Sequence, residues 1–173
     1  MTTGTTDENI DFTVMMWFKI DDSFFTKSVP GGQPPQIMYL FSFEDSVACF
    51  FTDTLTLMCD SWDRRKLKIP AGNIVPGIWY HLTLSSSAED ESFLLIQDSH
   101  KKVANDTTSD FGFRQNTSYS WKACLGDCAA DFGFLGGLRE VVMFHQSVTQ
   151  DQAVRAKNLI LTYNSSIKSY FRF

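Results

Sequence analysis

The four cysteines are the residues whose number and spacing most clearly limit the chemistry that they can carry out. Cys49, Cys59, Cys124 and Cys128 make an even number, which permits three disulfide connectivities. The spacing of Cys124 and Cys128 is not the Cys-x-x-Cys of redox proteins, and no histidine pair shows zinc-site spacing among His81, His100 and His145. We therefore predict structural disulfides, one joining Cys49 to Cys59 and the other joining Cys124 to Cys128.

No grouping of acid, base and nucleophile in the sequence points to catalysis. The only acidic run, Glu89–Glu91, stands in a polar turn. Retaining glycoside hydrolysis needs two carboxyl groups about 5–5.5 Å apart that flank a sugar, and no apolar strand residues frame this run. Trp79 and His81 share one strand face, and we expect Trp79 to fill the core and His81 to satisfy a loop backbone group. We predict that the chain is not an enzyme and has no catalytic residues.

A basic cluster with an aromatic neighbour is the main candidate for ligand binding. Arg64, Lys66 and Lys68 would point the same way from a strand, and Trp62 precedes them in a loop. Exposed Trp side chains stack on sugar rings or anchor protein partners, and cations attract anionic glycans. The alternative interpretation is an edge strand whose charges protect it from aggregation.

Three acceptor sequences for N-glycosylation lie in polar stretches, at Asn105, Asn116 and Asn164. Together with the paired cysteines they favour an extracellular or cell-surface protein of the secretory pathway, where disulfides persist. The N-terminus lacks the basic and apolar regions of a signal peptide. We therefore expect either an intracellular chain or a module from a longer secreted protein.

Length and charge restrict the domain count and the partners. A chain of 173 residues is long enough for one domain with its own core, and we predict a single domain over residues 1–173. The net charge of −5 offers no basic surface for nucleic acid. No apolar run approaches the roughly 20 residues that a membrane-spanning helix needs. Neither nucleic-acid binding nor membrane insertion is expected.

The elements that must position these residues are about ten short strands and one late helix. Sixteen Phe residues fit the half-buried surface of strands. Turn residues between strands that recur about every 8–12 residues are typical of a sandwich. The hairpin of Val47–Phe51 and Leu55–Asp60 would have a three-residue tip at Thr52–Thr54, and such a tip would face Cys49 towards Cys59. A register shift by one residue would separate the two thiols.

The last quarter of the chain carries one long strand, one helix and a final strand. In the strand over Phe134–His145, Leu138, Val142 and Phe144 alternate with polar and apolar neighbours on the other face. Thr149 followed by Gln152 predicts a capping box, and a helix that stops near Asn164.

Three stretches, in this order and spacing, resemble laminin-G-like and pentraxin-like domains. They are Phe12–Lys19, Gly77–Leu82, and Leu125–Gly126 followed by Phe132–Phe144. The resemblance implies a concanavalin-like jelly roll of two packed antiparallel sheets. It also implies that the final strand, Ser169–Phe173, pairs beside the first strand and brings the termini together. The insertion Cys124–Cys128 resembles a variant found in large surface proteins of protists, which implies an extracellular module of a multidomain chain.

The resemblance also bears on ligands. Family members hold calcium at the sandwich rim with acidic and carbonyl oxygens, so Asp127 and Asp131 are calcium candidates, although the family's ligands do not map onto them one by one. Asp60 and Asp63 are a second acidic pair. Some relatives bind sulfated glycans, which adds to the case for the basic cluster.

The sequence therefore predicts an all-β, two-sheet antiparallel sandwich with one short helix, which serves as a non-catalytic binding, adhesion or structural module of a secreted or surface protein. Its partners would be a protein or a glycan, and other domains of the same chain or assembly. The alternatives are a divergent jelly-roll glycan hydrolase and an intracellular assembly subunit.

Overall fold

A computed structural model describes residues 8–22, 37–43, 46–61, 66–87, 92–98, 101–107, 111, 113–115, 123–126, 134–157 and 167–171. Thirteen strands and one helix follow one another in the order β1 Glu8–Ile10, β2 Phe12–Ile20, β3 Ile37–Phe43, β4 Val47–Thr52, β5 Leu57–Ser61, β6 Lys66–Ile69, β7 Tyr80–Ser86, β8 Ser92–Gln97, β9 Lys102–Thr107, β10 Phe113–Gln115, β11 Ala123–Leu125, β12 Gly136–Phe144, α1 Gln150–Ala156 and β13 Ile167–Phe171.

Two antiparallel sheets make up the body of the fold. One has five strands in the order β11-β3-β4-β5-β6, and the other has six in the order β13-β12-β2-β7-β8-β9. Strands β1 and β10 form a separate two-stranded sheet. The predicted all-β sandwich with one short helix is confirmed.

Strand β2 lies in the middle of the six-stranded sheet because both of its faces are apolar enough to be covered. Phe12, Val14, Met16, Phe18 and Ile20 point into the sandwich and are at most 1% exposed. The alternate residues of β2 lie on the outer face of the same sheet. This outer face carries the candidate site.

The five-stranded sheet covers the inner face of β2 with large apolar side chains. Phe51 contacts Phe18 across the two sheets with ring centroids 5.5 Å apart. Leu57 and Leu40 are fully buried in the same core. Burying a side chain of this size contributes roughly 1.5–3 kcal/mol, so the two sheets are held together mainly by aromatic and branched side chains.

The hairpin of β4 and β5 carries a disulfide between Cys49 and Cys59, which are direct cross-strand partners. The predicted tip at Thr52–Thr54 is wrong by one residue, because it would have set Cys49 opposite Leu57 rather than opposite Cys59. The loop consists of residues 53–55, because Thr52 N–H donates to the carbonyl of Thr56 and Leu55 N–H donates to the carbonyl of Thr52. Leu55 takes the left-handed conformation, φ 59°, that the last residue of such a loop requires, while its side chain is buried.

The predicted pairing of the final strand is wrong. Strand β13 pairs with β12 rather than with β2, because β12 already occupies that edge of β2. Strand β10, which no sequence pattern predicts, pairs with β1 at the N-terminal end. Short strands of this kind carry too few alternating residues to be recognised from sequence.

The capping box of helix α1 is confirmed. Gln152 N–H donates to Thr149 Oγ1 over 3.3 Å, and Thr149 N–H donates to Gln152 Oε1 over 2.7 Å. The helix ends at Ala156 with Lys157 as its C-cap, and the expected stop at Asn164 lies outside the described residues. Within the described part of the chain, no helix has the length and apolar character to cross a membrane.

Candidate functional site

The outer face of the six-stranded sheet is divided into two halves. Helix α1 packs over one half, where Ala153 meets Met15, Phe93 and Leu95 in a small buried cluster. We call this the covered half. The other half lies beyond the helix and contains Trp17 and Lys19 of β2, Trp79 before β7, and Arg139 of β12. We call this the open half.

Side chains of the open half form a row in which aromatic rings alternate with cations. Arg139 Cζ lies 4.3 Å from the ring centroid of Trp79 and 5.2 Å from that of Trp17. Lys19 Nζ lies 5.5 Å from the ring centroid of Trp79. We call these four residues the tryptophan–cation row. Each such contact at a partly exposed position contributes about 0.5–1 kcal/mol, so the row is ordered by its own contacts.

Strand register explains why these residues meet. Arg139 is the direct partner of Trp17, and Gly137 is the direct partner of Lys19. Direct partners point to the same face of a sheet. The sequence offered one usable signal, the alternation in β2 that places Trp17 and Lys19 opposite its core residues. Pairing of β2 with β12 cannot be read from either strand alone, which is why the row was missed.

Trp79 does not fill the core, so that prediction is wrong. Its side chain is half-buried on the outer face and lies against Gly137. A Cβ atom at position 137 would come within 2.9 Å of Trp79 Cη2, so any side chain there would displace the indole. The core position that Trp79 was expected to occupy belongs to Tyr80, which stacks on Phe18 with centroids 5.6 Å apart.

A cavity of about 320 Å³ opens beside the row. Its lining combines a cation, two carboxylates, an indole and backbone, contributed by Lys19, Ile20, Asp21, Asp22, Gly77, Trp79, Gly136 and Gly137. The walls are fixed by two backbone hydrogen bonds, from Gly77 N–H to the carbonyl of Ile20 over 2.8 Å and from Asp21 N–H to the carbonyl of Leu135 over 2.9 Å. The cavity is therefore preformed by the chain itself.

Two glycines bring the cavity walls close together. A Cβ at Gly77 would come within 2.3 Å of Asp22 Oδ1, and a Cβ at Gly136 would come within 1.9 Å of the carbonyl oxygen of Lys19. Gly77 also has φ 82°, a conformation that L side chains avoid. Asp22 is exposed, so its carboxylate is presented at the cavity wall by a backbone that only glycine permits.

A β-bulge in β12 follows Arg139 directly. Arg139 pairs with Trp17 and Val142 pairs with Met15, which leaves one extra residue in β12. Glu140 takes the left-handed conformation, φ 51°. The predicted shared face of Leu138 and Val142 is therefore wrong, since Leu138 packs against the core while Val142 pairs with Met15 on the outer face. Bulges of this kind re-aim neighbouring side chains and occur often beside functional sites.

His81 lies at the border between the two halves. Its ring meets the ring of Trp17 edge to face with centroids 5.2 Å apart. The Gln97 side-chain amide lies 3.5 Å from His81 Nδ1 and donates to the carbonyl of Ala153 in α1 over 3.1 Å. The expectation that His81 satisfies a loop backbone group is not met, because its described polar contact is the side chain of Gln97.

Burial and, as the smaller cause, the positive charge of Lys157 together lower the pKa of His81 from 6.5 to about 4. The imidazole is therefore neutral at pH 7. A neutral ring suits its position between the indole of Trp17 and an amide, and it adds no charge to the row.

The predicted basic cluster lies elsewhere. Lys66 and Lys68 are on β6, an edge strand of the five-stranded sheet, and they alternate with the buried Leu67 and Ile69. Lys66 Nζ forms an ion pair with Asp60 Oδ2 over 3.3 Å. Trp62 and Arg64 lie outside the described residues. The structure thus places these lysines on the opposite sheet from the tryptophan–cation row.

Several other predicted site residues fall outside the described part of the chain. They are Asp63, Glu89–Glu91, Asn116, Cys128, Asp127, Asp131 and Asn164. Asn105 is in the edge strand β9 of the six-stranded sheet, and Cys124 is disulfide-bonded. Among the residues that the structure does describe, no group of three or more His, Cys, Asp or Glu side chains could hold a metal ion.

No protein-family model matches the chain, and a search of curated proteins finds no relative. Solved structures do match its fold. One is a candidate carbohydrate-binding protein from Bacteroides ovatus, with a TM-score of 0.62 and 14% identity over 97% of this chain and 46% of that chain.

Two further matches come from a phage and a toxin. Tailspike protein 2 of an Escherichia coli O157:H7 bacteriophage has a TM-score of 0.64 and 13% identity over 96% of this chain and 24% of that one. The binding domain of Paraclostridial Mosquitocidal Protein 1 has a TM-score of 0.58 and 15% identity over 86% of this chain and 37% of that one. The chain spans less than half the length of each of these three structures.

These identities show a common fold and nothing finer. The sandwich expected from the laminin-G-like and pentraxin-like resemblance is supported at that level. Nothing in the comparisons supports the narrower likeness to protist surface proteins. The chain is similar in fold to jelly-roll-like β-sandwich proteins that include a candidate carbohydrate-binding protein and a toxin binding domain.

Proposed function

We propose that this chain is a non-catalytic binding module that holds a glycan on the open half of its six-stranded sheet. The observation that carries the proposal is the pairing of a half-exposed indole, Trp79, with a preformed cavity of about 320 Å³ whose walls combine apolar surface with carboxylates, a cation and backbone groups. Sugars present an apolar ring face and a rim of hydroxyls. An indole beside carboxylates and backbone groups matches both features.

The charges and contacts of the row support a small polar ligand. Asp22 and Lys19 line the cavity together with Trp79, so hydroxyl groups would find both an acceptor and a donor. Gly136 and Gly137 let the Lys19 carbonyl and the Trp79 indole pack directly against the backbone of β12 beside the cavity. Ligand pockets of comparable volume, lined by an aromatic surface and a few convergent polar groups, are common among small-molecule sites.

Secretion is part of the same proposal. The Cys49–Cys59 disulfide is typical of oxidising compartments, and a module joined to further domains would match the partial coverage of the similar structures. Intact mass before and after reduction and alkylation, on protein from its native source, tests this. Free thiols at all four cysteines would contradict an extracellular location.

The test of binding is a screen of the full chain against immobilised neutral and acidic oligosaccharides, followed by calorimetry on those that bind. We expect Trp79→Ala to weaken binding at least tenfold. The matched control is Phe50→Ala, because Phe50 is also a half-buried aromatic on an outer sheet face, where it meets Tyr39 with centroids 5.6 Å apart.

The outcomes separate the possible sites. Loss in Trp79→Ala with retention in Phe50→Ala supports the proposal, and the reverse pattern places the site on the five-stranded sheet and overturns it. Failure of every oligosaccharide to bind at millimolar concentration also overturns it. New reducing ends released from a bound oligosaccharide would contradict the non-catalytic part.

A further inference from the structure

Arg139 differs from the other described cations of the outer face in how its side chain is held. It is exposed, and its guanidinium contacts two indole rings, those of Trp79 and Trp17. Among the described residues Arg139 forms no ion pair, whereas Lys66 on the opposite sheet pairs with Asp60. The guanidinium is therefore held by its contacts with two rings, while its charge has no carboxylate partner in that part of the chain.

Stacking on a ring uses the flat face of a guanidinium and leaves its edge free. The five N–H donors of arginine lie in the plane of the group, in a fork that matches the two oxygens of a carboxylate. Contact with two rings fixes the fork before a ligand arrives, so less side-chain entropy is lost on binding. The geometry of Arg139 is thus prepared for one planar anion.

The surrounding charges argue against a polyanion. Lys19 is the other cation of the row, and Asp21 and Asp22 line the adjacent cavity. Two cations beside two carboxylates give no net positive patch, and the whole chain carries −5. Polysulfated chains and nucleic acids bind where several cations cluster without acidic neighbours. A ligand with a single negative charge is the one that this balance accommodates.

We infer that the site is selective for a glycan in which a carboxylate-bearing sugar adjoins a neutral one, with the carboxylate on Arg139 and the neutral ring in the cavity beside Trp79. The inference rests on the proposed function and narrows it to a class of ligand. Asp22 then accepts hydroxyl hydrogens from the neutral ring, and Lys19 offsets the charge of that carboxylate.

The experiment compares two forms of one ligand on the unmodified chain. The probe is a disaccharide of glucuronic acid linked to a neutral hexose, and the comparison is its carboxyl methyl ester, which has the same shape without the charge. We expect the acid to bind at least tenfold more tightly by calorimetry, with a preference that declines as salt increases. Equal binding of acid and ester would overturn the inference.

Two variants assign the preference to a residue. Arg139→Lys keeps the charge and removes the fork, so we expect most of the preference for the acid to disappear. The control, Lys68→Gln, removes a charge from the opposite sheet and should leave the preference unchanged. Retention of the preference in Arg139→Lys, or tighter binding of a polysulfated disaccharide than of the acid, would overturn the inference.

Failure of the inference and failure of the proposed function give different results. If acid and ester bind alike and Trp79→Ala abolishes both, the glycan site stands and its selectivity for a carboxylate is wrong. If neither form binds and the oligosaccharide screen is also negative, the glycan site itself is wrong. Thermal unfolding midpoints within a few degrees of the parent confirm that each variant is folded.

Discussion

The covered half and the open half of the outer sheet face are built from the same strands, but the first contributes to stability and the second forms the candidate site. Strand β2 contributes Met15 to the covered half and, two residues further on, Trp17 to the open half. Strand β12 contributes Phe144 to the covered half and Arg139 to the open one. Side chains that a helix can cover give stability, and side chains that it leaves uncovered give a surface with rings, charges and a cavity.

The halves are joined by a short chain of contacts. Helix α1 accepts a hydrogen bond from Gln97 at the carbonyl of Ala153, Gln97 meets His81, and His81 meets the ring of Trp17. Packing in the covered half therefore sets the position of the first residue of the row. We hypothesise that the covered half determines stability and that the open half determines binding. The following substitutions test this hypothesis.

The largest effect is expected in the covered half. Leu95 is fully buried beneath α1, so Leu95→Ala leaves a cavity and should lower the free energy of unfolding by about 2–5 kcal/mol. Urea unfolding followed by tryptophan fluorescence measures this change. Glycan affinity of the folded fraction should stay within about threefold of the parent.

The counterpart in the open half is Arg139→Ala. Arg139 is exposed and its described contacts are with two rings, so its removal should cost about 1–2 kcal/mol in stability, at or below the low end of the range for Leu95→Ala. A loss in Arg139→Ala as large as that in Leu95→Ala would show that the open half is part of the structural core, and the comparison would fail.

The second effect comes from His81 at the border. Its pKa in the folded chain is about 4 and its ordinary value is 6.5. Between these pH values, the unfolded chain therefore binds a proton at His81 and the folded chain does not. The contribution of neutral His81 to the free energy of unfolding is complete above pH 6.5, and it is lost as the pH falls from 6.5 to about 4. Because the pKa of His81 differs between the folded and unfolded chains, this group alone should lower the free energy of unfolding by about 3 kcal/mol over that range.

Urea unfolding from pH 7.5 to 4 isolates the contribution by subtraction. Carboxylates also titrate in this range, so the quantity to follow is the difference between the parent and His81→Gln, which should fall by about 3 kcal/mol. An NMR titration that finds the His81 pKa near 6.5 would show that water reaches the ring and that the border is open.

The sequence predicted the fold because the fold depends on patterns within single elements. Apolar alternation located β2, turn residues separated the strands, and Thr149 with Gln152 marked the start of α1. These signals depend on residues close together in the chain. Local patterns therefore sufficed for the class of fold and for most strand boundaries.

The candidate site was not predicted because it depends on pairing between distant strands. Trp17 and Arg139 meet only through the register of β2 with β12, and a one-residue bulge at Glu140 shifts the faces beyond it. The apolar character of Trp79 alone predicts a core position. The outward position of its ring depends on Gly137, whose missing side chain leaves no signal in a hydrophobic pattern.

A third, smaller effect tests whether the buried polar groups of the covered half have hydrogen-bond partners. Thr83 is fully buried on this face, and its hydroxyl has no hydrogen-bond partner among the described residues. Thr83→Val replaces that hydroxyl with a methyl group of similar size, so we expect a gain of about 1 kcal/mol in unfolding free energy.

Ser85 provides the matched control for Thr83, because it lies two residues away on the same face. Its hydroxyl accepts from Val148 N–H over 2.9 Å, so Ser85→Ala should lose about 1 kcal/mol. If Thr83→Val is as destabilising as Ser85→Ala, the Thr83 hydroxyl has a partner in solution and the covered half is wetter than its packing indicates.

The smallest effect concerns the bulge beside Arg139. Glu140 has φ 51°, a conformation that costs a residue with a side chain about 1 kcal/mol and costs glycine little. Glu140→Gly should therefore be more stable than Glu140→Ala by about 1 kcal/mol in chemical unfolding, because alanine keeps the strain and glycine relieves it.

Both variants should bind the acidic disaccharide as the parent does, since neither changes the strand pairing of Arg139 with Trp17. An alanine variant as stable as the glycine variant would mean that the bulge is not left-handed in solution, and a loss of binding in both would assign the Glu140 side chain to the site.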